Sequence, residues 1–205
     1  MTWRRTGAVV AGVAGGIALL GVALNWLVVR EAGDTADAQV GVIRGKTACP
    51  KADGSSRPAT SFAHPPPRCI KAGQRYTADI GTDAGPVTVS LDAAGAPIAV
   101  NNFVVLARYH FYDGVGLEPG RGVVQTPDRD PGYTIADERP PAGSYGAGAV
   151  AMASSGPGTS GGQFFVVIDA SVNLAPIYPL LGRVTAGLDA LATATRIESV
   201  TIRAA

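Results

Sequence analysis

Metal-binding side chains are nearly absent from this chain of 205 residues, which has two Cys and two His. That is too few for a structural zinc site and for most metal chemistry, so no metal is expected. Charge is scarce as well, at 16% of residues. The 17 Lys+Arg against 16 Asp+Glu leave a net charge of +1 and are spread along the chain, so no basic stripe forms. Nucleic acid is therefore not an expected partner. No catalytic triad and no cofactor motif is present, and no cofactor is expected. In contrast, 46% of residues are hydrophobic, which excludes a disordered chain and provides one core. At about 150 residues per domain the length allows one domain plus an appendage, or two small domains. Gly 27 and Pro 15 are plentiful and point to turns between strands.

Much of the apolar material sits in one run. Gly7 to Val29 contains no charge, and Asn25 is its only clearly polar member. As a helix at ~1.5 Å per residue it reaches ~35 Å, enough for a bilayer core of ~30 Å. Arg4 and Arg5 precede it, whereas acids and bases balance in the roughly twenty residues from Arg30 onward, so residues 1–6 are expected in the cytoplasm and the remainder outside. The competing reading is a cleaved signal peptide with Ala36-Asp37-Ala38 as its cleavage site. A signal core of ~7–15 residues is shorter than this run, which favours a single-pass membrane anchor over residues 7–29.

Residues 30–71 read as an extracytoplasmic tether. Small polar residues and Pro65-Pro66-Pro67 dominate, and only Gln39 to Arg44 has the pattern of a short edge strand. Cys49 and Cys69 bracket this region. In an oxidising compartment two cysteines twenty apart are most simply a disulfide, worth ~3 kcal/mol for a loop of that size. A redox pair would call for C-x-x-C spacing.

From residue 72 to 205 the pattern is that of a folded domain. Tyr76 to Thr82 and Val87 to Leu91 alternate around an Asp83-Ala-Gly85 turn, as in a hairpin. Pro97 opens a helix with Val100, Phe103, Val104, Ala107 and Phe111 on one face and Gly114 beyond its end. Short apolar pieces follow at Val123 to Gln125, Ala149 to Ala153, Phe164 to Ile168 and Tyr178 to Val184. A second helix over Gly187 to Thr195 and a strand over Ser199 to Arg203 complete the order. This order predicts a mainly β fold, an antiparallel closed barrel capped by two helices.

Ala151-Met-Ala-Ser-Ser-Gly-Pro-Gly-Thr-Ser-Gly-Gly-Gln-Phe-Phe-Val-Val167 resembles the signature segment of the cyclophilins, a family of peptidyl-prolyl cis-trans isomerases. Ala96-Pro97 with Val100-Asn-Asn-Phe103 and Phe111-Tyr-Asp-Gly114 resembles the family's first helix and its exit. Asp130-Pro-Gly-Tyr133 with Asp137-Glu138, and Leu181-Gly-Arg-Val184, resemble two later family segments and fall in family order. The resemblance implies an eight-stranded antiparallel barrel with a groove on its outer face that takes proline-containing segments of exported proteins. A membrane-tethered form resembles the actinobacterial branch; a monomer is expected.

The resemblance also implies site residues. Gln125 matches the glutamine that contacts the substrate carbonyl, and Phe165 the phenylalanine at the base of the proline site, with Gln163 on the same strand face. Val123 takes the place of a pocket methionine, Ala153-Ser154 that of a pair whose backbone holds the peptide, and Leu174 and Tyr178 line the far edge. The family's catalytic arginine follows a Phe-His pair; here Leu117-Glu118-Pro119 occupy those positions and the segment is about two residues shorter. Arg121 is the one nearby cation and the candidate replacement. The serines Ser154, Ser155 and Ser160 with His64 or His110 are not read as a hydrolase: the glycine-rich run Gly158-Thr-Ser-Gly-Gly162 around Ser160 belongs to the segment that resembles the cyclophilin signature, and His110 falls in the first helix. Asp128, Asp130, Asp137 and Glu138 lack the spacing of a calcium loop.

Overall fold

The computed structural model describes residues 41–205, and Gly41–Ala205 form one compact unit. The expected cytoplasmic stub, membrane anchor and first part of the tether lie outside the described residues. Ten strands and two helices follow in order: β1 (Val42–Ile43), β2 (Ser61–Phe62), β3 (Tyr76–Thr82), β4 (Gly85–Leu91), α1 (Pro97–Arg108), β5 (Glu118–Pro119), β6 (Val123–Gln125), β7 (Ala149–Met152), β8 (Phe164–Val167), β9 (Leu180–Ala186), α2 (Leu188–Leu191) and β10 (Ile197–Ala204). Eight of the strands form one antiparallel sheet in the order β10-β3-β4-β9-β7-β8-β6-β5.

The hairpin read from alternation is present, with Tyr76 opposite Leu91 and Thr82 opposite Gly85. In β3 burial alternates along every residue, which places Tyr76, Ala78 and Ile80 in the core and the residues between them toward solvent. Helix α1 starts at Pro97, whose missing N–H is one that no helix start can satisfy internally, and plugs the sheet with Val100, Phe103, Val104 and Ala107. Burying each such Val or Phe side chain contributes about 1.5–3 kcal/mol. Ala96 offers no side-chain cap. The cap comes instead from Glu138, whose carboxylate accepts from the N–H groups of Ile98 (2.9 Å) and Ala99 (2.8 Å).

Three expectations are corrected. First, the barrel does not close. The terminal strands β5 and β10 share no ladder; a single bridge sets Gly116 opposite Arg196, with Leu117 N–H donating to the Thr195 carbonyl at 2.7 Å. β5 has two residues, and one of them is Pro119, which has no N–H to donate. The product is a half-barrel. Second, residues 41–71 are not a tether. Ala59, Phe62 and Ile70 are buried in the main core, and Phe62 packs edge-on against Tyr109 and Tyr133 with centroids 5.4 and 6.1 Å apart. The apolar residues are few and far apart in this segment, so no period betrayed them. The predicted edge strand does form, as β1, but pairs in parallel with β2 in a separate sheet. Third, α2 is one turn, not the nine residues expected: Ala192 and Thr193 form a turn and Ala194 and Thr195 are irregular.

The disulfide is present between Cys49 and Cys69, with Cα atoms 5.4 Å apart. It is backed by Asn101 of α1, 8% exposed, which accepts from the N–H groups of Cys69 and Ile70 and donates to the Pro67 carbonyl. Among the described residues no helix is long and apolar enough to cross a membrane.

Candidate functional site on the outer face of the sheet

Strands β7 and β8 are buried on both faces. Val150, Met152, Phe164 and Val166 point into the main core, while Ala149, Ala151, Phe165 and Val167 form a second cluster on the outside with Tyr145. A strand covered on both sides reads as an unbroken apolar run, which is how Phe164-Phe-Val-Val167 appears in the sequence. The outer cluster is completed by Val123, Ala153, Val172, Leu174, Tyr178 and Leu180.

A cavity of about 250 Å³ opens on this cluster, lined by Val123, Gln125, Ala153, Ser154, Gln163, Phe165, Leu174 and Tyr178. Eight of the nine candidate residues thus converge. The register explains why: Gln125 lies directly opposite Phe165, and Phe165 opposite Ala151, so these side chains share one face. Phe165 forms the floor, with the Tyr178 ring edge-on to it at 5.3 Å. Gln163 donates from Nε2 to the Thr126 carbonyl at 2.7 Å, which ties the end of β6 to the start of β8.

Arg121 does not join them. Gly120 N–H donates to the Val123 carbonyl at 2.8 Å, closing a tight turn between β5 and β6 with Arg121 exposed at its tip. Gly122 follows with φ of 71°, which breaks the strand alternation that would have turned residue 121 to the Gln125 face. A side chain at 122 would also run into Val172. The residue that shares the face of Gln125 is Glu118, its cross-strand partner. The cavity lining therefore contains no cation, and a carboxylate stands on the neighbouring strand.

Two residues the sequence reading passed over support the site. Tyr145 donates its hydroxyl to the Tyr178 carbonyl (2.6 Å) and accepts from the Tyr178 N–H (2.9 Å), clamping the far edge of the cavity. Burial of the Tyr145 ring raises its pKa, so it stays a neutral donor. Asn102, 1% exposed, donates to the Gly161 carbonyl and accepts from the Tyr133 hydroxyl, fixing the glycine-rich loop to α1. A buried polar pair on a helix otherwise full of Val and Phe was the available signal for both Asn101 and Asn102. A second cavity of about 250 Å³ lies beside the first and shares Ala153, Ser154 and Gln163 with it.

This arrangement can be set beside known proteins. Residues 77–203, more than half of the chain, match the model of the family described as cyclophilin type peptidyl-prolyl cis-trans isomerase/CLD. The chain belongs to the cyclophilin-type peptidyl-prolyl cis-trans isomerase family. Among curated relatives of this cyclophilin, peptidyl-prolyl cis-trans isomerase B of Bacillus subtilis is 34% identical over 116 residues, covering 52% of this chain and 81% of the relative. Probable peptidyl-prolyl cis-trans isomerase B of Mycobacterium leprae is 32% identical over 174 residues, covering 72% of this chain and 56% of the relative. A cyclophilin crystal structure from Cryptosporidium parvum superposes with a TM-score of 0.57 at 23% identity, over 63% of this chain and 98% of that one. A second crystal structure of that protein, obtained in the presence of the dipeptide Ala-Pro, gives 0.55. At that identity the likeness speaks for the fold.

Proposed function

We propose that this cyclophilin binds X-Pro segments of exported proteins in the outer cavity and speeds their cis–trans exchange. In this reading it acts as a monomer outside the cell membrane, held there by residues 7–29 with the amino terminus in the cytoplasm. The observation that carries the reading is the convergence of eight family-matched residues on one aromatic-floored cavity. Uncatalysed rotation about the peptide bond faces ~18–20 kcal/mol because amide resonance must be broken. The chemistry needs no metal and no nucleophile. It needs an apolar seat for the proline ring, which Phe165, Leu174 and Tyr178 supply. It needs a hold on the flanking backbone, which the Ala153-Ser154 segment offers, and a donor to the prolyl nitrogen as it becomes pyramidal.

In this chain the donor is the Gln125 side-chain amide. Gln163 is already committed to the Thr126 carbonyl, and Pro119 occupies the position of the family's arginine. With a neutral donor in place of a guanidinium, the rate falls below that of an arginine-bearing site, because charge-assisted hydrogen bonds are roughly twice as strong.

The absence of a cation from the cavity lining favours one alternative, a proline-peptide grip without isomerisation that serves as a chaperone. Exchange spectroscopy on a short Ala-Pro peptide with the full-length protein separates the two. Faster exchange than in buffer, slowed about 10-fold or more (~1.4 kcal/mol) by Gln125→Ala, supports the enzyme. Exchange no faster than buffer with peptide shifts retained leaves the binder. In that case Glu118→Arg, which sets a guanidinium opposite Gln125, is expected to switch exchange on.

A further inference from the structure

A third cavity, of about 370 Å³, shares no lining residue with the outer-face site. Its walls come from three separate elements: Ala52, Asp53 and Gly54 of the disulfide loop, Ala107, Arg108 and His110 at the exit of α1, and Val200 to Ile202 of β10. Arg108 is the anomaly. It is 8% exposed, its Nε has no hydrogen-bond partner, and neither ion pair among the described residues involves it. A buried guanidinium Nε–H without an acceptor is unfavourable, since burial removes its water and nothing replaces it. Native interiors pair such groups, so an orphaned one lining a cavity points to an acceptor supplied from outside.

The surroundings define that acceptor. His110 cannot serve, because both of its ring nitrogens are already engaged, one with the Asp113 carboxylate (2.8 Å) and the other with the Gly54 carbonyl (2.8 Å). Asp53 faces its own loop, accepting from the Ser55 N–H and hydroxyl. Its charge at the mouth opposes a second negative charge on a ligand. Ala52, Ala107, Val200 and Ile202 give the cavity apolar walls.

The strand edge adds a polar rim. On β10 the Val200 N–H is taken by Asp113, on the side away from β3. By antiparallel alternation the N–H and carbonyl of Ile202 face the same open side.

We propose that this cavity is a carboxylate site: a monocarboxylate with a short apolar tail, free or as an acidic side chain, paired bidentate with the Arg108 guanidinium. Arg108 as the one cation of the lining without an ion-pair partner, the apolar walls and the Asp53 carboxylate select a monoanion over phosphate. The site is independent of proline binding.

The test uses the full-length protein in micelles, with the Arg108 Nε–H and the Gly54 and Ile202 amides followed by NMR. Sodium butyrate is titrated against butyramide and sodium chloride at equal ionic strength. Saturable shifts with butyrate alone are expected. Arg108→Met abolishes them, and Asp53→Asn tightens butyrate binding several-fold. The peptides acetyl-Ala-Glu-Ala-amide and acetyl-Ala-Gln-Ala-amide form the second arm. Saturation by the glutamate peptide assigns the site to acidic segments, and saturation by butyrate only assigns it to small carboxylates; either supports the proposal. Linear shifts with every probe, equal response to butyramide, or saturable binding unchanged in Arg108→Met overturns it. If Arg108→Met does not fold, the butyrate–butyramide contrast and the Asp53→Asn shift decide.

Discussion

The hairpin β3–β4 and the strand β8 use the same sheet in opposite ways. β3 buries one face, and every second residue meets solvent. β8 buries both faces. Phe164 enters the core, where it packs edge-on against Phe103 and Tyr112, and Phe165 leaves it to floor the outer cavity. A sheet needs only one buried face for stability. The apolar side chains on the other face are covered by Tyr145 and by Val172, Leu174, Tyr178 and Leu180, and the cavity opens among them.

Truncating the two phenylalanines separately breaks the comparison most sharply. Phe164→Ala is expected to lose about 3–5 kcal/mol of stability, read by chemical denaturation, since it empties a closed core. Phe165→Ala loses less stability and abolishes shifts induced by an X-Pro peptide. If both variants lose stability equally while peptide binding persists in Phe165→Ala, the outer face is ordinary core.

Next in size is the cross-link that fastens residues 49–69 beside α1. Cys49→Ser with Cys69→Ser is expected to lower stability by ~3 kcal/mol. Peptide binding at the outer face survives, because none of its lining residues comes from the loop.

Removing the cap, Glu138→Ala, leaves the Ile98 and Ala99 N–H groups unpaired. It is expected to lower stability by about 1 kcal/mol on the same denaturation scale.

The smallest effect is a pH dependence at His110. Burial works against its charge, but the Asp113 carboxylate and the Gly54 carbonyl outweigh it, so its pKa lies above the usual value. A raised folded-state pKa favours the folded protein fully below the unfolded value of ~6.5, and this gain is lost as pH rises through the folded pKa. The stability difference between wild type and His110→Gln is therefore expected to be largest in acid and to shrink toward pH 9. A difference that grows with pH contradicts the ion pair.

What the sequence revealed follows from the same contrast. Alternation disclosed β3 and β4, because each buries one face and more polar residues mark the other; α1 was found from its period and its opening Pro97, although the helix is buried nearly all round. The family-matched segments disclosed eight cavity residues. Closure of the barrel and the role of Arg121 were not legible, since both depend on how a shortened segment turns between β5 and β6, and Gly122 at positive φ decides that. Nor was the docking of residues 41–71, which rests on three apolar anchors and on the buried Asn101 of α1 rather than on any period.

The central claim, that the second buried face is a proline seat, is tested most directly by mapping an Ala-Pro peptide onto the full-length protein by NMR. The account predicts saturable shifts at the Phe165 ring, the Gln125 side-chain amide and the Ala153 and Ser154 backbone, with the matching Ala-Ala peptide inert. Shifts confined to other residues, or equal response to both peptides, would contradict it.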